Sequence, residues 1–250
     1  MNDGPQALAI LAAAGVGAGF INTMAGGGSL LTLPALMLLG LPADVANGTN
    51  RLSIVTQSLS GVWAFHRQGR LPKEALPQVL GPTVTGAAVG ALVATQVPPT
   101  VLKPVLLGTM IAIAMVMAVA PKMVAPEPDV EPRPLGLKSG LGLFVAGVYG
   151  GFVQAGVGFV LLAVLGGMLR YDLLRANALK LAGTLIFGVV ALAIFIVARQ
   201  VAWAPAVVLA VATVIGSQLG VRFAVKVAPK WLRRIVLVCV IASCVAALLR

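Results

Sequence analysis

Two stretches of the sequence, residues 19–29 (GFINTMAGGGS) and residues 151–158 (GFVQAGVG), interrupt long apolar runs with glycine and polar side chains. Both begin with Gly-Phe and have an amide residue at the fourth position, Asn22 or Gln154. Because glycine leaves helical geometry easily, each stretch predicts a break within an apolar helical segment. Their resemblance indicates an internal repeat.

Other short motifs recur in the same order and at a nearly constant spacing, which supports the repeat. The pairs are Val45-Ala46-Asn47 with Arg175-Ala176-Asn177, Arg67-Gln68 with Arg199-Gln200, Gly86-x-x-x-Gly90 with Gly216-x-x-x-Gly220, and Pro99-x-x-Leu102 with Pro229-x-x-Leu232. The proline-rich segment between the halves carries three acidic residues and is too polar to cross a bilayer. We therefore expect a first transmembrane repeat at 1–120, a cytoplasmic linker at 121–138 and a second transmembrane repeat at 139–250.

The composition is that of a membrane protein. Of the 250 residues, 59% are hydrophobic and 10% are charged, and the mean hydropathy is +1.02. Soluble domains carry about a quarter charged residues, so a water-soluble domain is excluded. Unbroken apolar runs such as 105–120 also exclude an outer-membrane barrel, whose strands alternate between apolar and polar residues. Basic loops at the cytoplasmic leaflet explain the net charge of +11, so we expect no nucleic-acid partner.

The pattern predicts five helical pieces in each half. They lie at about 6–23, 29–40, 44–65, 75–96 and 102–120, and at about 139–155, 158–169, 173–198, 203–224 and 231–249. A spanning helix needs about 20 residues. The pieces at 29–40 and 158–169 are shorter, so each half is predicted to contain a broken or re-entrant helical hairpin plus three transmembrane helices. Residues 1–6 hold no basic residue, so we expect the first apolar stretch to remain as a membrane segment.

The distribution of basic residues predicts how the halves are related. If each hairpin enters and leaves on one side, the halves are inverted, and the basic cluster from Arg222 to Arg234 faces the cytoplasm. Only Lys103, Arg199 and Arg250 then remain outside. A parallel arrangement would export the cluster. We therefore expect an all-α polytopic protein of two inverted repeats in a bacterial-type inner membrane, with both termini in the periplasm.

The polar groups at the first break predict an anion site. Glycines 26–28 free backbone N–H groups, and Ser29 is a suitable N-cap for the helix that follows. A helix N-terminus carries a partial positive charge and directs N–H donors outward, which suits an anion. The side chains of Asn22, Thr23 and Thr32 add donors. A glycine-rich packing crossover is the alternative interpretation.

Arg51 is the most informative charge in the sequence. An arginine inside a membrane is costly unless it faces a cavity or a partner. Lys180 lies at nearly the matching place in the second half, and no carboxylate is obviously available to either cation. The pattern indicates that the substrate supplies the negative charge. In the alternative interpretation, both cations extend to the membrane surfaces as interface anchors.

These arguments give one set of candidate substrate-binding residues. In the first half, the set contains glycine and polar residues of the break and polar residues of the helix at 44–65. In the second half, it contains the corresponding residues. The set is Asn22, Thr23, Gly26, Gly27, Gly28, Ser29, Asn47, Asn50, Arg51, Gln57, Gln154, Gly156, Gly158, Asn177 and Lys180.

The remaining polar residues predict structural roles. Asp44 and Asp172 are expected to be N-caps, His66 to lie at the membrane interface, and the tryptophans at 63, 203 and 231 to form aromatic belts. The Gly-x-x-x-Gly pairs predict close helix packing. The sequence holds no Walker loop, metal-ligand cluster or nucleophile–histidine pair, so we expect no cofactor, no metal and no enzymatic activity.

The run Gly19–Ser29, then Leu-Thr-Leu-Pro34, then Val45-Ala-Asn-Gly-Thr-Asn-Arg51, resembles the TauE/SafE sulfite exporter family of the toluene-sulfonate uptake permease superfamily. The resemblance is strongest over about 19–70, and the related motif of the second half, at 150–182, also resembles the family. It implies an inner-membrane permease for sulfite, a sulfonate or a related organosulfur anion. The residues themselves indicate a transporter for an anion, whereas sulfur comes from the resemblance alone.

The hypothesis is a secondary transporter that works by alternating access between the two halves. Its expected partners are the small anion and the lipid bilayer, and a homodimer is an open expectation. An anion-conducting channel and a non-transporting membrane scaffold for sulfur metabolism are the rival readings.

Overall fold

The structure is a computed structural model that describes residues 5–25, 28–67, 69, 71–119 and 131–223. Throughout these residues the regular secondary structure is helical, which confirms the all-α prediction. The predicted helix at 231–249 and most of the predicted linker lie outside them. Of the predicted linker, residues 131–138 are described. Residues 131–136 have no regular secondary structure, whereas 137 and 138 already belong to the helix that begins at Leu137.

The helices follow the predicted pieces closely. They are α1 (Pro5–Ala25), α2 (Ser29–Leu38), α3 (Ala43–Arg67), α4 (Leu76–Gln96), α5 (Pro99–Val119), α6 (Leu137–Phe152), α7 (Val157–Leu162), α8 (Leu173–Val197) and α9 (Trp203–Phe223), with a short 3₁₀ turn at Lys73–Ala75 before α4. The predicted single helix at 158–169 differs in form. It is α7 followed by a π-helical segment, Ala163–Met168, whose widened turns contain the Gly166-Gly167 pair.

Three of the described helices are long and apolar enough to cross a bilayer by length and composition: Lys73–Gln96, Pro99–Val116 and Leu173–Val197. Helix α3 has 25 residues, enough to span, but its mean hydropathy is low because it carries many polar residues. Most of these polar residues are buried against other helices. The chain is therefore a multi-pass membrane protein in which α3 forms a polar interior element.

Each half contains the expected interrupted helix pair. Helix α2 begins beside α1, since Gly28 packs against the backbone of Ala18 and leaves no room for a Cβ atom. In the second half, α6 ends at Phe152 and α7 begins at Val157, with Gln154 and Gly156 both at positive φ between them. The breaks therefore lie where glycine and amide residues interrupt the apolar sequence.

The two halves exchange helices in their packing. Helix α4 of the first half packs along α6 of the second, and α9 of the second half packs along α1 of the first. Glycines make both approaches close. The backbone of one helix fills the Cβ position of the glycine on the other, at Gly86, Gly90, Gly147 and Gly151 in one pair and at Gly19 and Gly216 in the other.

This packing confirms the predicted role of the glycine pairs at Gly86, Gly90 and Gly216. Helices α3 and α8, which are counterparts in the two halves, pack on each other at the centre. The contact between α4 and α6 thus has its counterpart in the contact between α9 and α1. The inverted direction of the halves in the membrane stays a prediction.

Candidate functional site

A small, partly open cavity lies between the interrupted helices and the central pair α3 and α8. Its volume is about 20 Å³, room for about one water molecule, and we call it the hairpin cavity. Its lining residues come from both halves: Asn22, Ser29, Ile54, Ser58, Gln154, Val157, Gly158, Lys180, Leu181 and Thr184. Five of the predicted site residues are among them, namely Asn22, Ser29, Gln154, Gly158 and Lys180.

Amide residues at corresponding positions of the two repeats both line this cavity. Asn22 is the fourth residue of Gly19-Phe-Ile-Asn, and Gln154 is the fourth residue of Gly151-Phe-Val-Gln. Both line the hairpin cavity. The internal repeat therefore places one amide from each half against the same space.

The Asn22 amide is held by its own half. Its Nδ2 donates to Gln57 Oε1 at 2.8 Å, and its Oδ1 accepts from the Gly28 N–H at 3.3 Å. Gln57 in turn donates to the Gly19 carbonyl at 3.2 Å. Because Gln57 lies behind Asn22 and outside the cavity lining, it orients the amide.

Ser29 does not cap α2 as predicted. It is the first residue of the helix, the cap position belongs to Gly28, and no side chain caps this end. The Ser29 hydroxyl accepts instead from the Gly156 N–H at 3.3 Å, across the boundary between the halves. The Gly28 N–H, one of the groups expected to face an anion, is taken by Asn22.

Gln154 has a strained backbone and a side-chain amide without hydrogen bonds to the described residues. Its backbone has φ of 65°, a left-handed conformation that non-glycine residues rarely adopt. Its side chain is 1% exposed, and neither amide atom has a hydrogen-bond partner among the described residues. Unpaired buried amides are costly, and backbone strain of this kind concentrates at ligand sites. The amide is therefore available to a bound ligand.

Lys180 brings a positive charge to the cavity wall. It is 6% exposed, and its Nζ donates to Asn177 Oδ1 at 2.8 Å. Asn177 is fixed by a bond from its own Nδ2 to the Leu173 carbonyl at 2.9 Å. In the part of the chain that the structure describes, no carboxylate pairs with Lys180, and the ion pair found there joins Arg175 to Asp172. The ammonium group is thus buried at a cavity without a neighbouring acid from these residues.

Ser58 and Thr184 line the cavity and were not among the predicted site residues. Both residues are buried. Thr184 lies four residues after Lys180, so both occupy one face of α8. That spacing could have predicted Thr184 as a site residue. No comparable pattern distinguishes Ser58, because hydroxyl residues are frequent along the whole of α3.

Arg51 lies beside the cavity but does not line it. It is fully buried, and its guanidinium donates to the Gly150 carbonyl at 2.8 Å, to the Gly151 carbonyl and to the Phe152 carbonyl at 3.4 Å. The Phe195 ring lies 4.7 Å away. Burial of Arg51 and Lys180 shows that the alternative of two surface anchors is wrong.

The other predicted residues of α3 form an interior network. Asn47 donates to the Phe152 carbonyl at 2.7 Å, and Asn50 accepts from the Thr32 hydroxyl at 2.6 Å and from Ser53 at 3.3 Å. They line no part of the hairpin cavity.

The remaining predicted residues lie at or near the two breaks. Gly156 is part of the second break and has φ of 76°. Gly26 and Gly27 fall outside the described residues, and Thr23 lies near the end of α1.

The acidic residues have the following places. Asp172 is the N-cap of α8 as predicted, and its carboxylate accepts from the N–H groups of Leu174 and Arg175. Asp44 lies inside the first turn of α3 rather than at its cap, and no cap hydrogen bond from it is found among the described residues. Those residues also contain no cluster of three or more metal-ligating side chains.

Comparison with known proteins identifies the family. The model of the sulfite exporter TauE/SafE family matches residues 11–247. A "probable membrane transporter protein", ORF9, of Sinorhizobium sp. is 30% identical over 242 residues, covering 96% of this chain and 92% of its own. One from Haemophilus influenzae is 29% identical over 225 residues, covering 89% and 87%.

A third similar protein is the "probable membrane transporter protein" YfcA of Escherichia coli strain K12, 28% identical over 235 residues, covering 94% of this chain and 87% of its own. The family match and these relatives extend over almost the whole chain, including both interrupted helix pairs. The chain therefore belongs to the sulfite exporter TauE/SafE family of membrane transporters.

Proposed function

We propose that this protein carries a small sulfur oxyanion, sulfite or a sulfonate, across the bacterial inner membrane, and that the anion binds in the hairpin cavity. The observation that carries the proposal is Lys180, a buried cation at the cavity wall with no acidic partner among the described residues. A bound anion would supply the missing negative charge. The family name supports sulfur as the central atom.

The cavity offers donors that match such an anion. A sulfonate presents three acceptor oxygens and one delocalised charge. Lys180 would provide the ammonium, Gln154 its unpaired amide N–H groups, and Ser58 and Thr184 their hydroxyls. Hydrogen bonds between ionised groups and oxyanions are stronger than neutral ones, more so away from water. Ile54, Val157 and Leu181 would contact an apolar substituent.

The arrangement of the cavity supports alternating access. Interrupted helices that meet near the centre of a repeat-built membrane protein are typical of secondary transporters. Asn22 and Ser29 come from one half, whereas Gln154 and Lys180 come from the other. Because the cavity has a volume of only about 20 Å³, a relative movement of the interrupted helices would have to widen it before the anion fits. The same movement would change the access to the cavity and its set of donors.

The proposal is tested with purified protein in liposomes. Vesicles preloaded with unlabelled sulfite or taurine are diluted into the same labelled anion, and counterflow is measured. Saturable, counterflow-stimulated uptake that Lys180→Met abolishes is the expected result. Unitary anion currents in a planar bilayer would instead assign a channel, and the absence of any transport of sulfur anions would overturn the proposal.

A further inference from the structure

Helix α6 ends with three carbonyl groups that its own backbone does not satisfy. The N–H groups that follow are used elsewhere: those of 153 and 154 bond to the Tyr149 carbonyl, that of 155 bonds to the Val153 carbonyl, and that of 156 bonds to Ser29. Among the described residues, no backbone donor therefore reaches the carbonyls of Gly150, Gly151 and Phe152, which we call the α6 carboxyl end. In a membrane interior such groups must find a partner.

Arg51 and Asn47 of α3 are those partners. The Arg51 guanidinium donates to all three carbonyls, and the Asn47 amide donates to the third. Asn47 Oδ1 also accepts from Arg51 at 3.3 Å, which fixes the two side chains together. A cation at this place faces the negative end of the α6 dipole. A side-chain pair from the first half thus replaces the missing turn of a second-half helix.

We infer that Arg51 is a positioning residue that holds the chain break after α6 open and so places the Gln154 amide in the hairpin cavity. Gln154 follows the α6 carboxyl end by two residues and has a left-handed backbone. Without Arg51, the three carbonyls would regain partners by extension of the helix through residues 154–156. That extension turns Gln154 away from the cavity and withdraws the Gly156 N–H from Ser29.

A second feature fixes the same break from inside the second half. The Tyr149 hydroxyl donates to the Ala155 carbonyl at 2.6 Å, so this loop is attached at its middle to α6. Tyr149 cannot substitute for Arg51, because it uses the carbonyl of 155 and leaves the α6 carboxyl end untouched. The two attachments act on different atoms of one short loop.

The inference rests on the hairpin cavity of the proposed function, but its test requires no transport. Cys239 and Cys244, the two cysteines of the chain, are first replaced by serine. Gln154→Cys and, separately, Ser58→Cys are then introduced, and their labelling by an anionic methanethiosulfonate reagent is timed in liposomes. Each is repeated with Arg51→Lys, with the milder Asn47→Ala, and with Arg67→Lys as the matched control on the same helix. Arg67 is exposed and stacks on Trp63.

Positioning predicts that Arg51→Lys and Asn47→Ala slow labelling at residue 154 by about fivefold or more, since a closed local state must reopen before reaction. Labelling at residue 58 stays within about twofold, as does labelling of both sites with Arg67→Lys. Equal labelling at 154 in all backgrounds would overturn the inference. So would a parallel loss at 58 and 154, which would assign to Arg51 a general role in folding, and so would absence of labelling at 154 with Arg51 intact.

Discussion

The Ser29 hydroxyl of the first half lies 3.3 Å from the Gly156 nitrogen of the second half and accepts its N–H. Each residue stands where an apolar helical segment is interrupted, so the bond joins the two breaks directly. Gly156 has φ of 76°, and a side chain there would collide with Ile113. A hydrogen bond therefore joins the two breaks, and its donor and its acceptor both depend on the local break in the helix.

Ser29→Ala tests that link. The substitution leaves the Gly156 N–H buried without a partner, which costs about 1–3 kcal/mol. We expect a lower melting temperature in detergent and weaker stabilisation by a bound anion. Thr85→Ala is the matched control, because the Thr85 hydroxyl is exposed and bonds only within its own helix. Equal melting temperatures for Ser29→Ala and the wild type would count against the link.

Close packing between α4 and α6 gives a second prediction. A Cβ atom added at Gly151 collides with the Ala87 carbonyl, whereas one added at Gly140 of the same helix meets nothing. Gly151→Ala should therefore destabilise the protein by about 1–3 kcal/mol or more. Gly140→Ala should be neutral or stabilising by up to about 1 kcal/mol, since alanine favours the helix. The melting temperatures of both variants test this prediction. A Gly151→Ala protein that melts at the temperature of the wild type would contradict the observed packing.

The hydroxyl of Thr184 gives a prediction for the binding step. Thr184→Val keeps the volume of the side chain and removes its donor. If the hydroxyl binds the anion, the apparent affinity for the transported anion falls about tenfold, equivalent to about 1.4 kcal/mol. Thr95→Val serves as control, because the Thr95 hydroxyl is exposed and bonds to the Leu92 carbonyl. The concentration dependence of counterflow measures both variants, and unchanged affinity in Thr184→Val removes this residue from the site.

The sequence was sufficient to predict the interrupted helices and five of the cavity residues. Glycine and amide residues within apolar runs are conspicuous, and the repeat shows that the two interruptions correspond. The close packing at Gly86 and Gly90 could also be predicted, because small residues four positions apart indicate helices in close contact. In each of these cases a local pattern contains the information.

The partner of Arg51 could not be read from the sequence. It depends on which N–H groups beyond α6 are used elsewhere, and this follows from the left-handed turn at Gln154 and from the bond between Gly156 and Ser29. The predicted role of Ser29 as an N-cap was wrong, because the exact start of a helix also depends on the fold. A serine at a helix start is usually a cap, but here the helix begins one residue earlier than a cap requires.

Binding of an anion in the hairpin cavity through Lys180 is tested by ligand-dependent thermal stabilisation of the purified protein. The panel contains sulfite, sulfate, thiosulfate, taurine and an aryl sulfonate, with carboxylates of similar size as controls. It is applied to the wild type, to Lys180→Met and to Lys103→Met, whose lysine lies at a separate depression between α2 and α5.

A ligand that binds the folded state alone raises the melting temperature, and the rise grows with the ratio of the ligand concentration to its Kd. We expect selective stabilisation by a sulfur oxyanion in the wild type and in Lys103→Met, and loss of that stabilisation in a folded Lys180→Met protein. Undiminished stabilisation of Lys180→Met, or no stabilisation of the wild type by any sulfur anion, would contradict this expectation.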